Sequence, residues 1–349
     1  MNEYFENIIR CLVQQSLSKN DSFIWNLDFS QYPNKLYRFR SFKRYDVSSL
    51  TDDYIWLSEP EQFADPEDAR VNIGADSNPD IAQANDTAMT NAFLDRYWEQ
   101  FHSFPAMQGF SKSQFFAMAS RTSKEDITSA ELFSQIRNEA KKNEVILSSE
   151  QEKELQILQY RLESIEDSVP EKRAEIINNY RKGLRVCCLT EEHDNRKMWE
   201  NYSDYYSGFV IEYSKPNVVG NPHPCLNLFP VEYYDTIPTV DLAPLITEII
   251  KDNSMADNEV VVECLVQTFK QVLSKREEYS LEKEWRFVLE KNVENKYAFP
   301  FATAVYAGYR IKPYNLSRLR KICKQKGIKL FKQCYSSQTA LLSYEEEKI

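Results

Sequence analysis

Glycine is scarce in this sequence, with 7 residues in 349, and none is spaced as G-x-G-x-x-G or G-x-x-x-x-G-K-[S/T]. That excludes the Rossmann dinucleotide turn and the P-loop, both of which need glycine to bring backbone N–H groups against phosphate. Histidine is rarer still, with 3 residues, and no Ser-His-Asp or Cys-His set can be assembled from their spacing. The 7 cysteines contain no C-x-x-C pair, so there is neither a zinc-ligand pattern nor a compact disulfide framework, and reduced, buried thiols in a cytoplasm are expected. No apolar run approaches the roughly 18 residues a membrane helix needs, so no membrane contact is expected. The first ten residues read as an amphipathic helix rather than a signal peptide, which makes export unexpected. Positive charge is also in deficit: 43 Lys and Arg stand against 53 Asp and Glu, for a net charge of −10. Broad, non-specific binding to a nucleic-acid backbone is therefore not expected, and the one basic stretch, 310–332, reads as a solvated helix face.

What is present is apolar and aromatic enough, at 42% and 13%, to build a sizeable core. Strand patterns fall at 35–40, 54–58, 184–189, 208–213, 228–233, 284–290, 302–308 and 328–335. Helical patterns fill about 77–182, follow Asp194, and recur over 242–252, 258–275 and the basic stretch. The expected fold is α+β, with a mixed, split β-sheet core. The core is drawn from 1–76 and 183–349, and a helical insertion over 77–182 separates the two pieces.

Two stretches draw the chemical interest. In Glu282-Lys283-Glu284-Trp285-Arg286, strand alternation would put Glu282, Glu284 and Arg286 on one face and Trp285 on the other. Two carboxylates so close raise each other's pKa unless a cation intervenes, and such a pair can divide acid and base roles; salt bridges to Arg38, Arg40 or Arg286 are the purely structural alternative. Along 35–40 the same parity sets Arg38 and Arg40 opposite Tyr37 and Phe39. The Pro-stiffened acidic loop 58–68 offers Asp65 and Asp68 as cation ligands or as turn caps. Met198 with Tyr202, and Trp199 with Tyr206, fall at helical spacing and suit core packing.

The strings 36–40, 56–60 with 63–68, 198–202 before Gly208-Phe209, and 282–286 resemble, in order, the bacterial family DUF2971, a domain of unknown function. Ala64 departs from the Asn usual there before Asp-Pro. A looser similarity joins Arg38 or Arg40, Ser58 and the Glu282-x-Glu284 pair to the arginine-serine-glutamate class of ADP-ribosyltransferases. That resemblance implies a related split-sheet fold and NAD, or a related nucleotide, as substrate. Arg38, Arg40 and Tyr37 would then bind the cofactor, Ser58 would position the ribose, Glu284 would be the essential acid, and Glu282 would orient or activate the acceptor. Asp65, Asp68, Trp199, Tyr202 and Arg286 would line or support the site. The setting it implies is a toxin or phage-defence effector with an unidentified macromolecular acceptor and no metal. Two other functions fit the same residues: a divalent-metal nuclease or hydrolase using Asp65, Asp68, Glu282 and Glu284, and a non-catalytic protein-interaction module. The transferase reading requires Arg38 or Arg40, Ser58 and Glu284 to converge on one cleft.

Overall fold

The protein is described from a computed structural model, which covers residues 1–18, 27–63, 65, 68–69, 182–216, 223–242, 244–245, 259–290, 294–336 and 341–348, with scattered positions between 92 and 160. The helical insertion expected over 77–182 lies largely outside the described residues. In chain order the elements are α1 (Glu3–Ser18), β1 (Lys35–Arg40), α2 (Arg44–Thr51), β2 (Tyr54–Trp56), β3 (Leu184–Thr190), α3 (Arg196–Tyr202), β4 (Phe209–Ser214), β5 (Leu228–Pro230), β6 (Glu232–Tyr234), α4 (Glu259–Val272), β7 (Ser274–Arg276), β8 (Glu284–Glu290), β9 (Lys296–Ala298), β10 (Ala302–Ala307), α5 (Pro313–Lys326), β11 (Lys329–Ser336) and β12 (Leu341–Glu346).

Eight of these strands form one sheet in the order β12-β11-β10-β4-β1-β3-β8-β5, which makes the fold mixed α+β. Every pairing in it is antiparallel except β10 with β11. A parallel pair needs a crossover, and α5 supplies it, entered by Pro313 and ended by Gly327 at φ 64°, where glycine has no Cβ to clash. The N-terminal strand β1 is central, between β4 and β3.

Alternation within each strand, carried across the sheet by the register, divides the side chains between two faces. Arg38 stands opposite Ile211 and Arg40 opposite Phe209, whereas Tyr37 faces Glu212 on one side and Thr190 on the other. Thr190 in turn faces Glu284. Tyr37, Thr190 and Glu284 therefore form a row on one face, and Arg38 and Arg40 lie on the other with Trp285 and Phe287.

The Tyr37 face carries an aromatic cluster of Tyr37, Phe39, Met198, Trp199, Tyr206, Val210 and Tyr306. Asn195 caps α3 by accepting from the Met198 N–H at 3.2 Å, and this cap aims Trp199 into that cluster. After α3 the chain holds Asp204, Tyr205 and Tyr206 at positive φ, between 50° and 66°, which is costly for residues with a Cβ. The turn is held by a Gly208 N–H bond to the Ser203 carbonyl at 2.7 Å and by Tyr206 stacked on Trp199 at 5.7 Å and 3°. Gly208 is needed there because a Cβ would sit 2.1 Å from the Arg40 carbonyl oxygen. Gly208→Ala is expected to cost about 1–3 kcal/mol, read as a lower urea midpoint; an unchanged midpoint would show that the β1–β4 contact yields freely.

Among the described residues no helix is long and apolar enough to cross a membrane.

Candidate functional site

Among the described residues, the densest cluster of charge lies on the Tyr37 face, at the start of β8. The chain approaches it through a 3-10 turn, Glu277–Glu282, and then Lys283 in the left-handed region at φ 43°. Glu282 is thus not on the strand, as alternation predicted. It arrives from the turn, and the backbone twist at Lys283 brings its side chain to the same place as Glu284 and Arg286.

Lys275, on β7, occupies the centre. Its Nζ lies 2.7 Å from Glu284 Oε2, 2.8 Å from Glu282 Oε2 and 3.4 Å from Asp68 Oδ2, so it donates hydrogen bonds to Glu284 and Glu282 and forms an ion pair with Asp68. Arg286 completes the cluster from β8. Its Nε donates to Glu284 Oε1 at 2.7 Å, while its two terminal nitrogens donate to Asp68 Oδ1 and to the Val272 carbonyl at the end of α4. Asp68 and Glu284 are each gripped by both cations. Glu282 is held through one oxygen; its Oε1 meets the Tyr202 hydroxyl at 3.4 Å. Tyr233 accepts the Glu284 backbone N–H at 2.8 Å, and the Tyr279 ring lies 5.0 Å from Lys275 Nζ, within cation–π range.

All five charged side chains are nearly or wholly buried, with Arg286 at 0% and Asp68, the most accessible, at 13%. Burial alone would raise the Glu284 pKa, but Arg286 and Lys275 outweigh it and hold the carboxyl at about 2. Glu282 has only a share in Lys275, and burial prevails, pushing its pKa up. Burial opposes the charge on Lys275, yet its three carboxylates hold its pKa well above the usual lysine range. The cluster therefore keeps one carboxylate firmly ionised and leaves the other the stronger base.

A pH dependence follows. Glu284 is depressed from 4.5 in its ordinary state to about 2, so its contribution is complete above pH 4.5 and is lost as the pH falls toward 2, about 3 kcal/mol in all. Glu282, being raised, contributes with the opposite sign: its ionisation costs stability as the pH climbs through its folded value. Urea melts between pH 7 and pH 3 are expected to show the Glu284 loss below pH 4.5. The same slope in Glu284→Gln would refute this assignment.

Of the residues expected in the site, Glu282, Glu284, Arg286, Asp68 and Tyr202 are brought together. Asp65 accepts the Asp68 N–H at 3.1 Å and so shapes the turn that presents Asp68. Trp199 is wholly buried, its indole N–H donating to the His193 carbonyl at 2.7 Å, and belongs to the core. Ser58 makes a backbone bridge to Val186, along the edge of β3 that β1 leaves free. Tyr37 is on the same face but stacks on His193 at 4.9 Å.

Arg38 and Arg40 do not join the acids. They point from the opposite face of the sheet, beside Cys187, whereas Cys188 lies beside Glu284 and Arg286. The single cleft expected for Arg38 or Arg40, Ser58 and Glu284 is not formed, and neither acid is paired with either arginine. The oxygen cage expected of a metal site is filled by the Lys275 ammonium, and among the described residues no group of three His, Cys, Asp or Glu is arranged to hold a metal. Lys275, Tyr233 and Tyr279 were not anticipated. The one sequence signal for Lys275 is a basic residue standing shortly before a pair of acids.

The comparison with known families bears on this cluster. Residues 198–287 match the family model described as protein of unknown function (DUF2971). The DUF2971 match spans Tyr202, Tyr233, Lys275, Glu282, Glu284 and Arg286, so most of the cluster lies within it. It omits Arg38, Arg40, Ser58 and Asp68, a narrower span than the ordered strings from 36 onward suggested. No curated protein and no solved structure matches the chain.

Proposed function

We propose that the protein cleaves the N-glycosidic bond of NAD or a related nucleotide with Glu282 as the reacting carboxylate, by an arrangement other than the transferase one, whose Arg38–Ser58–Glu284 cleft is not formed. The observation that carries this reading is the inequality of the two acids. Glu284 has both oxygens taken by Arg286 and Lys275, which suits it to fixing those cations rather than to touching a substrate. Glu282 keeps an oxygen outside that grip and has its pKa pushed up by burial. A carboxylate so placed stabilises the cationic ribose that forms as the C–N bond breaks, and its raised basicity suits it to take a proton from the incoming hydroxyl. Tyr202, 46% exposed on the outer side of Glu282, offers a ring on which nicotinamide can stack.

The roles thus exchange relative to the sequence expectation: Glu282 reacts and Glu284 positions. A structural clamp is the competing reading, favoured by the near-complete pairing of the cluster. The deciding experiment incubates the full chain with NAD and measures nicotinamide release alongside calorimetry. Release that disappears in Glu282→Gln supports the glycosidic reading. Neither binding nor release at millimolar NAD leaves the cluster as a clamp.

A further inference from the structure

A solvated helix face is the sequence expectation for 310–332, and α5 shows how the charges there are divided. Between Glu294 and Glu345 the sequence has no acid and 10 Lys or Arg, in a chain whose net charge is −10. α5 turns Leu316, Leu319, Ile322 and Cys323 to the core. The acids that reach it from elsewhere are used on its flanks: Arg320 pairs with Glu347, Lys326 with Asp53, and Lys329, just past the helix, with Glu346. Among the described residues Arg318, Lys321 and Lys324 have no ion pair, nor has Lys312 at the helix entry, and all four are exposed. Tyr314, 73% exposed, stands one turn before Arg318, and helical spacing keeps Tyr314, Arg318 and Lys321 on one stripe. Beyond Lys324 the stripe opens into a groove of about 300 Å³ between the end of α5 and β11, lined also by Gly327, Lys329, Glu346 and Glu347. Both acids of that groove are already paired with cations, so they do not cancel the stripe.

We infer that the exposed stripe of α5 is a docking surface for single-stranded nucleic acid, with Arg318, Lys321 and Lys324 on the phosphate backbone and Tyr314 stacked against a base. The three charges repeat about every 5 Å along the helix axis, a row that suits a linear polyanion better than an isolated phosphate. Tyr314, in line with them, supplies a flat ring on which an unpaired base can stack. A membrane surface fits less well, because Tyr314 is the single large apolar side chain exposed on α5, and an interfacial helix needs a continuous apolar face to bury in lipid. Exposed cations on a helix often serve only to keep it solvated; the ring among them and the lack of counter-charge single this face out. The net charge of −10 opposes a tight grip overall, so binding is expected to be moderate and strongly salt-dependent. The surface stands independently of the glycosidic reading, because its readout is binding alone.

The test is fluorescence anisotropy of the full chain with labelled oligo(dT) and oligo(U) strands of about twenty nucleotides, repeated over a range of sodium chloride concentrations. Saturable binding is expected, with a slope of log affinity against log salt of about −2 for three neutralised phosphates. Arg318→Gln combined with Lys321→Gln should weaken binding about tenfold or more and bring the slope to about −0.7. Tyr314→Ala should weaken it about fivefold or more and leave the slope unchanged, since it removes stacking and no charge. Lys43→Gln, an exposed lysine at the start of α2, should change neither. All of these side chains are exposed, so the variants are expected to fold as the parent does. Tighter binding of oligo(U) identifies RNA as the source, and tighter binding of oligo(dT) identifies DNA. The inference is overturned if neither strand binds at low salt, if the double variant or Tyr314→Ala binds as the parent does, or if phosphatidylserine vesicles or polyglutamate bind more tightly than either strand.

Discussion

Arg286→Ala is expected to remove about 3–5 kcal/mol of folding free energy, a large share of what a domain possesses. The side chain is wholly buried and its three nitrogens serve three acceptors on separate elements: Glu284 on β8, Asp68 in the loop after β2, and the Val272 carbonyl at the end of α4. Its removal strands two carboxylates in a dry environment with Lys275 as their remaining cation. Arg286→Lys keeps the charge but not the planar fork, so it should recover only part of the loss. Urea denaturation of the three chains at neutral pH decides the matter. If Arg286→Ala loses less than about 1 kcal/mol, a value typical of an exposed pair, then water reaches the cluster and the buried description is wrong.

The second large effect concerns rate. On the proposed glycosidic function, Glu282→Gln is expected to reduce nicotinamide release about 10²–10⁴-fold, the usual worth of a positioned acid or base. Its effect on stability should be far smaller than that of Arg286→Ala, because Lys275 retains Glu284 and Asp68 as partners and the lost carboxylate was itself penalised by burial. That split separates chemistry from scaffolding. Glu284→Gln should lose activity and stability together, since it loosens both cations. Activity that survives in Glu282→Gln but not in Glu284→Gln would return the essential role to the inner acid.

Local patterns carried much of the fold. The alternation in Lys35-Leu36-Tyr37-Arg38-Phe39-Arg40 specified β1 and its two faces, and the spacing of Met198, Trp199 and Tyr202 specified α3. The DUF2971 resemblance was legible from short strings, and the family model confirms it over 198–287. Parity within a strand, however, states only which residues share a face, not which face another strand will match. The row Tyr37, Thr190, Glu284 is set by pairing across β3, a non-local choice, and it is what separates Arg38 from Glu284. Lys275 was missed for a related reason. It sits on a three-residue strand paired with β6, and the acids that follow it do not announce that Asp68, far earlier in the chain, converges on it as well. Glu282 reached its place through a left-handed lysine, a conformation that alternation cannot foresee.

The central place of β1 has a consequence for how the chain is made. Its partners β3 and β4 lie at 184–190 and 209–214, beyond the whole of 77–182, so β1 leaves the ribosome with both edges unpaired and Tyr37 and Phe39 uncovered. At ordinary synthesis rates that wait lasts on the order of 10 s. Throughout it, Lys-Leu-Tyr-Arg-Phe-Arg is an open template for another chain, with its alternating charges the chief protection against mispairing.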